Sequence, residues 1–157
     1  MTSEIDNRTI SLLQGIPILS ILEPQDYDLL AQIAKVETYP EGTILFTEGE
    51  HNHHLYFVCT GFVTLDMLTT HCGRQTILSV GSGELLAWSA LIGDHSMTAT
   101  AVVTHSATLL SFQGTELSRL LQEYHSLGFR MMSAVARAIS RRLLATRLQL
   151  LDLYHLS

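Results

Sequence analysis

The chain of 157 residues carries a net charge of −6, with 46% hydrophobic but only 15% charged residues, enough length for one domain with its own core. The acidic balance excludes a body that holds nucleic acid nonspecifically, and two cysteines, Cys59 and Cys72, are too few for a four-cysteine metal or iron–sulfur site. No long apolar run or basic leader is present, so the expectation is a soluble, cytoplasmic protein with reduced thiols and no membrane span.

Residues 1–8 are polar and read as a loose lead-in. A helical stretch over 10–13 is interrupted at Gly15-Ile16-Pro17. A second helix opens at Pro24, with carboxylates in its first turn and Leu29, Leu30 and Ile33 on one face. The N-terminal helices therefore occupy about 10–34.

From residue 36 to 112 the pattern changes to strands, expected at 36–39, 43–46, 55–59, 62–68, 75–80, 98–104 and 107–112. Gly42, Gly49, Gly61, Gly73, Gly81 and Gly83 punctuate them. Short strands in that rhythm suggest a closed all-β roll or a sandwich, and the fold expected is mainly β, an antiparallel, jelly-roll-like β-roll. The run from Leu55 to Val63 is nearly all apolar, as a strand covered on both faces would be.

Residues 114–155 return to a helical period. Thr115 is placed to cap a short helix ending near Tyr124, and a long helix without proline runs from about Ser126 to Tyr154. Met132, Val135, Ile139, Leu143, Thr146, Leu150 and Leu153 fall on one stripe at spacings of three and four. That stripe predicts a homodimer seam. Five of the nine basic residues (Arg130, Arg137, Arg141, Arg142 and Arg147) sit on the same helix, and they read as a solvated face or as contacts to the acidic body.

The most informative stretch is Gly83-Glu84-Leu85-Leu86-Ala87-Trp88-Ser89-Ala90-Leu91, followed by Met97-Thr98-Ala99. It stands between strands where a hairpin would suffice, and a short helix there would present free N–H groups to an anion. Together with the opening Pro40-Glu41-Gly42-Thr43 and the strand Leu55-Tyr56-Phe57-Val58-Cys59-Thr60-Gly61, it resembles the cyclic-nucleotide-binding superfamily. The likeness extends from about Leu19 to Leu153 and is to the catabolite-activator-like effector domains of transcription regulators, in a single-domain form.

The resemblance implies a signal-transducing regulatory domain, not an enzyme, whose effector is a cyclic nucleotide such as cAMP. It assigns Gly83, Glu84, Leu85 and Leu86 to a phosphate-binding cassette. Glu84 would accept from the ribose hydroxyl, the N–H groups near Leu85 and Leu86 would face the phosphate, and Thr98 and Ala99 would close the site. The family's arginine is replaced by Met97. Losing a charge-assisted contact to a buried phosphate costs roughly 2–5 kcal/mol, two to three orders of magnitude or more in affinity. Arg142, from the long helix, and His95 are the candidate replacement cations. A cyclic nucleotide, another small anionic ligand and no ligand at all stay open; no cofactor is implied.

Two rivals are weaker. His51 and His53 could form part of a cupin-like metal enzyme, but the residues following them are apolar. The superfamily's DNA-reading module would follow the long helix. The sequence ends at Ser157, so the expectation is no direct DNA recognition, with output through a protein partner.

Overall fold

The computed structural model describes residues 6–155. Helix α1 spans Asn7–Gln14 and starts earlier than its apolar pattern suggested, because Asp6 accepts the Arg8 N–H at 3.0 Å and caps it. Residues 1–5, most of the expected lead-in, lie outside the described residues. A 3-10 turn at Pro17–Ile21 leads to α2, Pro24–Ala31, which has a Glu23–Asp26 capping box.

Six strands follow: β1 (Lys35–Tyr39), β2 (Ile44–Phe46), β3 (His54–Thr69), β4 (Gly73–Val80), β5 (Leu85–Leu86) and β6 (Thr100–Gln113). The path β1-β6-β3-β4 is antiparallel throughout, with β2 added on β6 and β5 on β3. This is the antiparallel roll expected from the sequence.

Two of the expected turns are not turns. Segments 55–59 and 62–68 form the one strand β3, and 98–104 and 107–112 fall largely within the one strand β6. Gly61 has φ +90°, and a Cβ there would lie 2.4 Å from the Ser106 carbonyl oxygen. It sits among successive register shifts between β3 and β6. Such bulges bend a strand without ending it, and they curl the sheet into a roll.

The bend separates two cores. Leu55, Phe57, Leu110 and Phe112 pack with the helices, whereas Tyr56, Val58, Ala107 and Leu109 face the inside of the roll. Alternation on β3 and β6 therefore meets apolar neighbours on both faces, which explains their unbroken apolar runs.

Helix α3 spans Gly114–Glu123 and α4 spans His125–His155. Thr115 lies inside α3 and does not cap it; Gln113 occupies the cap position. Arg130 ties α4 to α2: its Nε and Nη2 donate to the two Asp26 oxygens at 2.7 and 3.1 Å. Burial would push the Asp26 carboxyl up. Hydrogen bonds from Arg130 and the Glu23 N–H, with the Arg130 charge, outweigh it and hold the carboxyl below its ordinary range.

The proposed seam needs correction at its start. Val135 is fully buried in the helical core of its own chain, and Ile139 packs against that core. A helix lying on its own body spends its first turns there, so Val135 is unavailable to a partner and Ile139 is half-buried against its own chain.

Candidate functional site

The segment after β4 folds into a closed turn. Gly83, at φ +84°, donates its N–H to the Val58 carbonyl at 2.7 Å, and the Glu84 N–H donates to the Gly81 carbonyl at 3.1 Å. A Glu84 carboxylate oxygen accepts the Gly81 N–H at 2.6 Å. Glu84 is thus exposed, but one of its oxygens is used inside its own loop.

The expected short helix does not form. Leu85 and Leu86 join β3 opposite Phe57 and Tyr56, Ala87 turns into the left-handed region at φ 62°, and only a 3-10 turn, Trp88–Ala90, follows. Pairing with β3 satisfies the backbone that a helix start would have left free. A non-glycine residue at that φ costs roughly 1–3 kcal/mol and persists only where its surroundings dictate it.

Two cavities border this segment. The larger, about 880 Å³, lies between the roll and the second half of α4. Leu65 of β3, Ile77 and Leu78 of β4, Trp88, Thr98 and Ala99 form one wall, and Leu143, Thr146, Leu150 and Leu153 form the other. The smaller, about 280 Å³, is bounded by Pro17, Gly83, Glu84, Leu85, Arg141 and Ala145. Leu78 and Arg142 belong to both.

The structure therefore divides the predicted site residues. Gly83, Glu84 and Leu85 border the small cavity, and Thr98 and Ala99 border the large one. Leu86 and Met97 are buried inside the roll with Phe46, Val58 and Val103. The Met97 sulfur accepts the Ser89 hydroxyl at 3.8 Å.

Arg142 is where the two cavities meet. Its Nη2 donates to the Leu85 carbonyl at 2.6 Å, and its guanidinium carbon lies 4.9 Å from the centroid of the Trp88 ring. Its Nη1 is buried and meets no acceptor among the described residues. Burial pushes the guanidinium pKa down, and the Glu84 charge pushes it back up. An arginine keeps its charge through such shifts. His95 takes no part; its ring lies 5.5 Å from His53 and borders a separate cleft against α3. Of the two candidate replacement cations, only Arg142 reaches the cassette.

A family model described as the cyclic nucleotide-binding domain matches residues 36–124. The chain belongs to the cyclic nucleotide-binding domain family. A curated relative, the cyclic AMP receptor protein of Thermus thermophilus, is 32% identical over 90% of this chain, which spans 61% of that relative's length. A cyclic nucleotide-binding domain from Methylobacillus flagellatus superposes with a TM-score of 0.82 at 19% identity, covering 90% of this chain and 83% of that one. A putative cyclic nucleotide-binding protein from Geobacter metallireducens gives 0.75 at 24%, covering 86% and 98%. At those identities the two structures bear on fold alone. The fold is thus the β-roll of cyclic nucleotide-binding domains.

Sequence reasoning assigned Thr98 and Ala99 to the site but missed Leu65, Ile77 and Leu78 on the same wall. Ile77, exposed on β4, was the available signal. His51 and His53 are exposed at the rim, and no group of three metal-ligating side chains converges among the described residues. Among them, too, no helix is long and apolar enough to cross a membrane.

Proposed function

We propose that this cyclic nucleotide-binding domain is a non-enzymatic sensor for a small anionic ligand seated between the roll and α4. Arg142 supplies the cation that the family places at Met97. The observation that carries this reading is the buried, unpartnered Nη1 of Arg142 at the meeting of the two cavities. A buried donor without an acceptor is costly in the free protein, and an anion relieves that cost. Only the state that binds more tightly gains from the ligand, so an anion on Arg142 shifts the balance between arrangements of α4.

That helix is also the route out. Leu144, Leu148 and Leu151 are each more than half exposed on a face separate from the cavity wall. They lie at coiled-coil spacing and form the seam of a homodimer, which passes the change in α4 to a protein partner.

The test is a titration of cAMP, cGMP, inorganic phosphate and decanoate, followed by the fluorescence of Trp88, the chain's single tryptophan. At least one anion is expected to change the emission in the wild type and not in Arg142→Met. Anion binding indifferent to Arg142, or silence from all four, overturns the reading.

A second reading has one observation in its favour. Glu84 is occupied by the Gly81 N–H and Met97 is packed in the core, as in a domain kept only as a dimeric interaction module. Silence from all four anions, with a stable dimer, is the outcome that selects it.

A further inference from the structure

The chemistry of the larger cavity specifies its ligand more narrowly, given the sensor reading above. Its walls are aliphatic or aromatic over most of their area: Leu65, Ile77 and Leu78 from the roll, Leu143 and Leu150 from α4, and Trp88 at the inner end. Among the described residues that line it, Arg142 is the one cation. On that cation Nη1 meets no acceptor among the described residues, while Nη2 is held by the Leu85 carbonyl.

Charge sets a limit. Glu84 acts electrostatically on Arg142, and Asp152 lines the cavity ten residues, about 15 Å, further along α4. A doubly charged group would meet one cation, and its second charge would be uncompensated on desolvation. Glu84, the acceptor a sugar hydroxyl would use, borders the smaller cavity and not this one. Apolar walls favour a ligand that is mostly hydrocarbon.

We propose that the ligand is an amphipathic monoanion, a carboxylate on an apolar tail or ring, with the carboxylate on Arg142 and the apolar body along α4. The carboxylate accepts from Nη1 and competes with the Leu85 carbonyl for Nη2, which lifts the guanidinium from Trp88. The apolar body then bridges Leu65 and Leu78 to Leu143 and Leu150, pinning the second half of α4 to the roll. This differs from a cyclic nucleotide in lacking both a sugar and a polar base.

The probe is decanoate, kept below its micellar concentration and titrated into full-length protein with Trp88 emission as the readout. Hexanoate, decanol and cAMP serve as comparisons. Decanoate is expected to bind at least tenfold more tightly than hexanoate, because each buried methylene contributes up to about fourfold in affinity. It is also expected to bind at least tenfold more tightly than decanol, which has the tail without the charge. Arg142→Met removes that preference over decanol, whereas Arg137→Met, at an exposed position outside both cavities, keeps it.

The decanol and hexanoate comparisons use wild-type protein, so the test survives a poorly folded variant. An Arg142-dependent response to cAMP with none to decanoate overturns this inference and leaves the anion sensor standing. Equal binding of decanoate and decanol shows a greasy groove and overturns this inference; with cAMP silent as well, it overturns both. Silence to decanoate overturns the inference outright.

Discussion

The Arg142 guanidinium lies over the Trp88 ring, 4.9 Å from its centroid, while one of its nitrogens holds the Leu85 carbonyl and another holds nothing. Helix α4 is thereby fastened to the loop after β4 by a charged group that is itself incompletely satisfied. Arg142→Met removes the donor to the buried Leu85 carbonyl and the contact with Trp88, so it is expected to cost roughly 1–3 kcal/mol of unfolding free energy while abolishing the anion response. Urea denaturation beside the Trp88 titration separates the two effects; a loss of several kcal/mol would make Arg142 a structural strut.

Leu144 and Val135 lie on the same helix but have opposite fates. Leu144 is 57% exposed and Val135 is fully buried in its own chain. Leu144→Glu together with Leu148→Glu is expected to give monomers in analytical ultracentrifugation with the melting temperature of the protomer little changed. Val135→Ala is expected to leave the dimer intact and cost about 2 kcal/mol of stability, the transfer and cavity terms for two methyl groups. The reverse pattern would restore the original stripe as the seam.

Gly61 is a position where the roll tolerates no side chain. With φ at +90° and the Ser106 carbonyl oxygen 2.4 Å from where a Cβ would sit, Gly61→Ala forces the bulge apart. A loss of roughly 1–3 kcal/mol is expected from the strained backbone, more if β3 and β6 shift register. Thermal unfolding measures it, and a wild-type melting temperature would show that the bulge is not rigid.

Asp26 gives the fold an acid-sensitive latch. Its carboxyl is held below the ordinary aspartate range in the folded state, so its contribution is fully present above the ordinary aspartate pKa. It is lost as the pH falls from there through the depressed folded value. The melting temperature of the wild type should therefore fall in that acid window. Asp26→Asn should start lower at neutral pH and show a shallower acid decline; an identical decline would place the sensitive group elsewhere.

Much of this molecule was legible from residue order. Glycine-punctuated apolar strands marked a closed, mainly β fold, because each strand has to bury one or both faces. The proline-free stretch after Ser126 required a long helix, and its two apolar stripes required two neighbours. Arg142 could also be told from Arg130, Arg137 and Arg141, since at about 100° per residue it falls beside the apolar stripe rather than opposite it. Gly83-Glu84 marked the loop.

Tertiary structure decided the rest, for reasons no local pattern contains. Periodicity states which residues share a face but not what lies against it: the stripe from Leu143 to Leu153 lines an open cavity over its own roll, and Leu144, Leu148 and Leu151, exposed to a similar degree, do not line it. Propensity favoured a helix after Glu84, yet the free edge of β3 captured Leu85 and Leu86 because a buried strand edge must pair. And Arg142 meets Leu85 across 57 residues of chain, a contact set by how α4 lies over the roll and not by any local pattern.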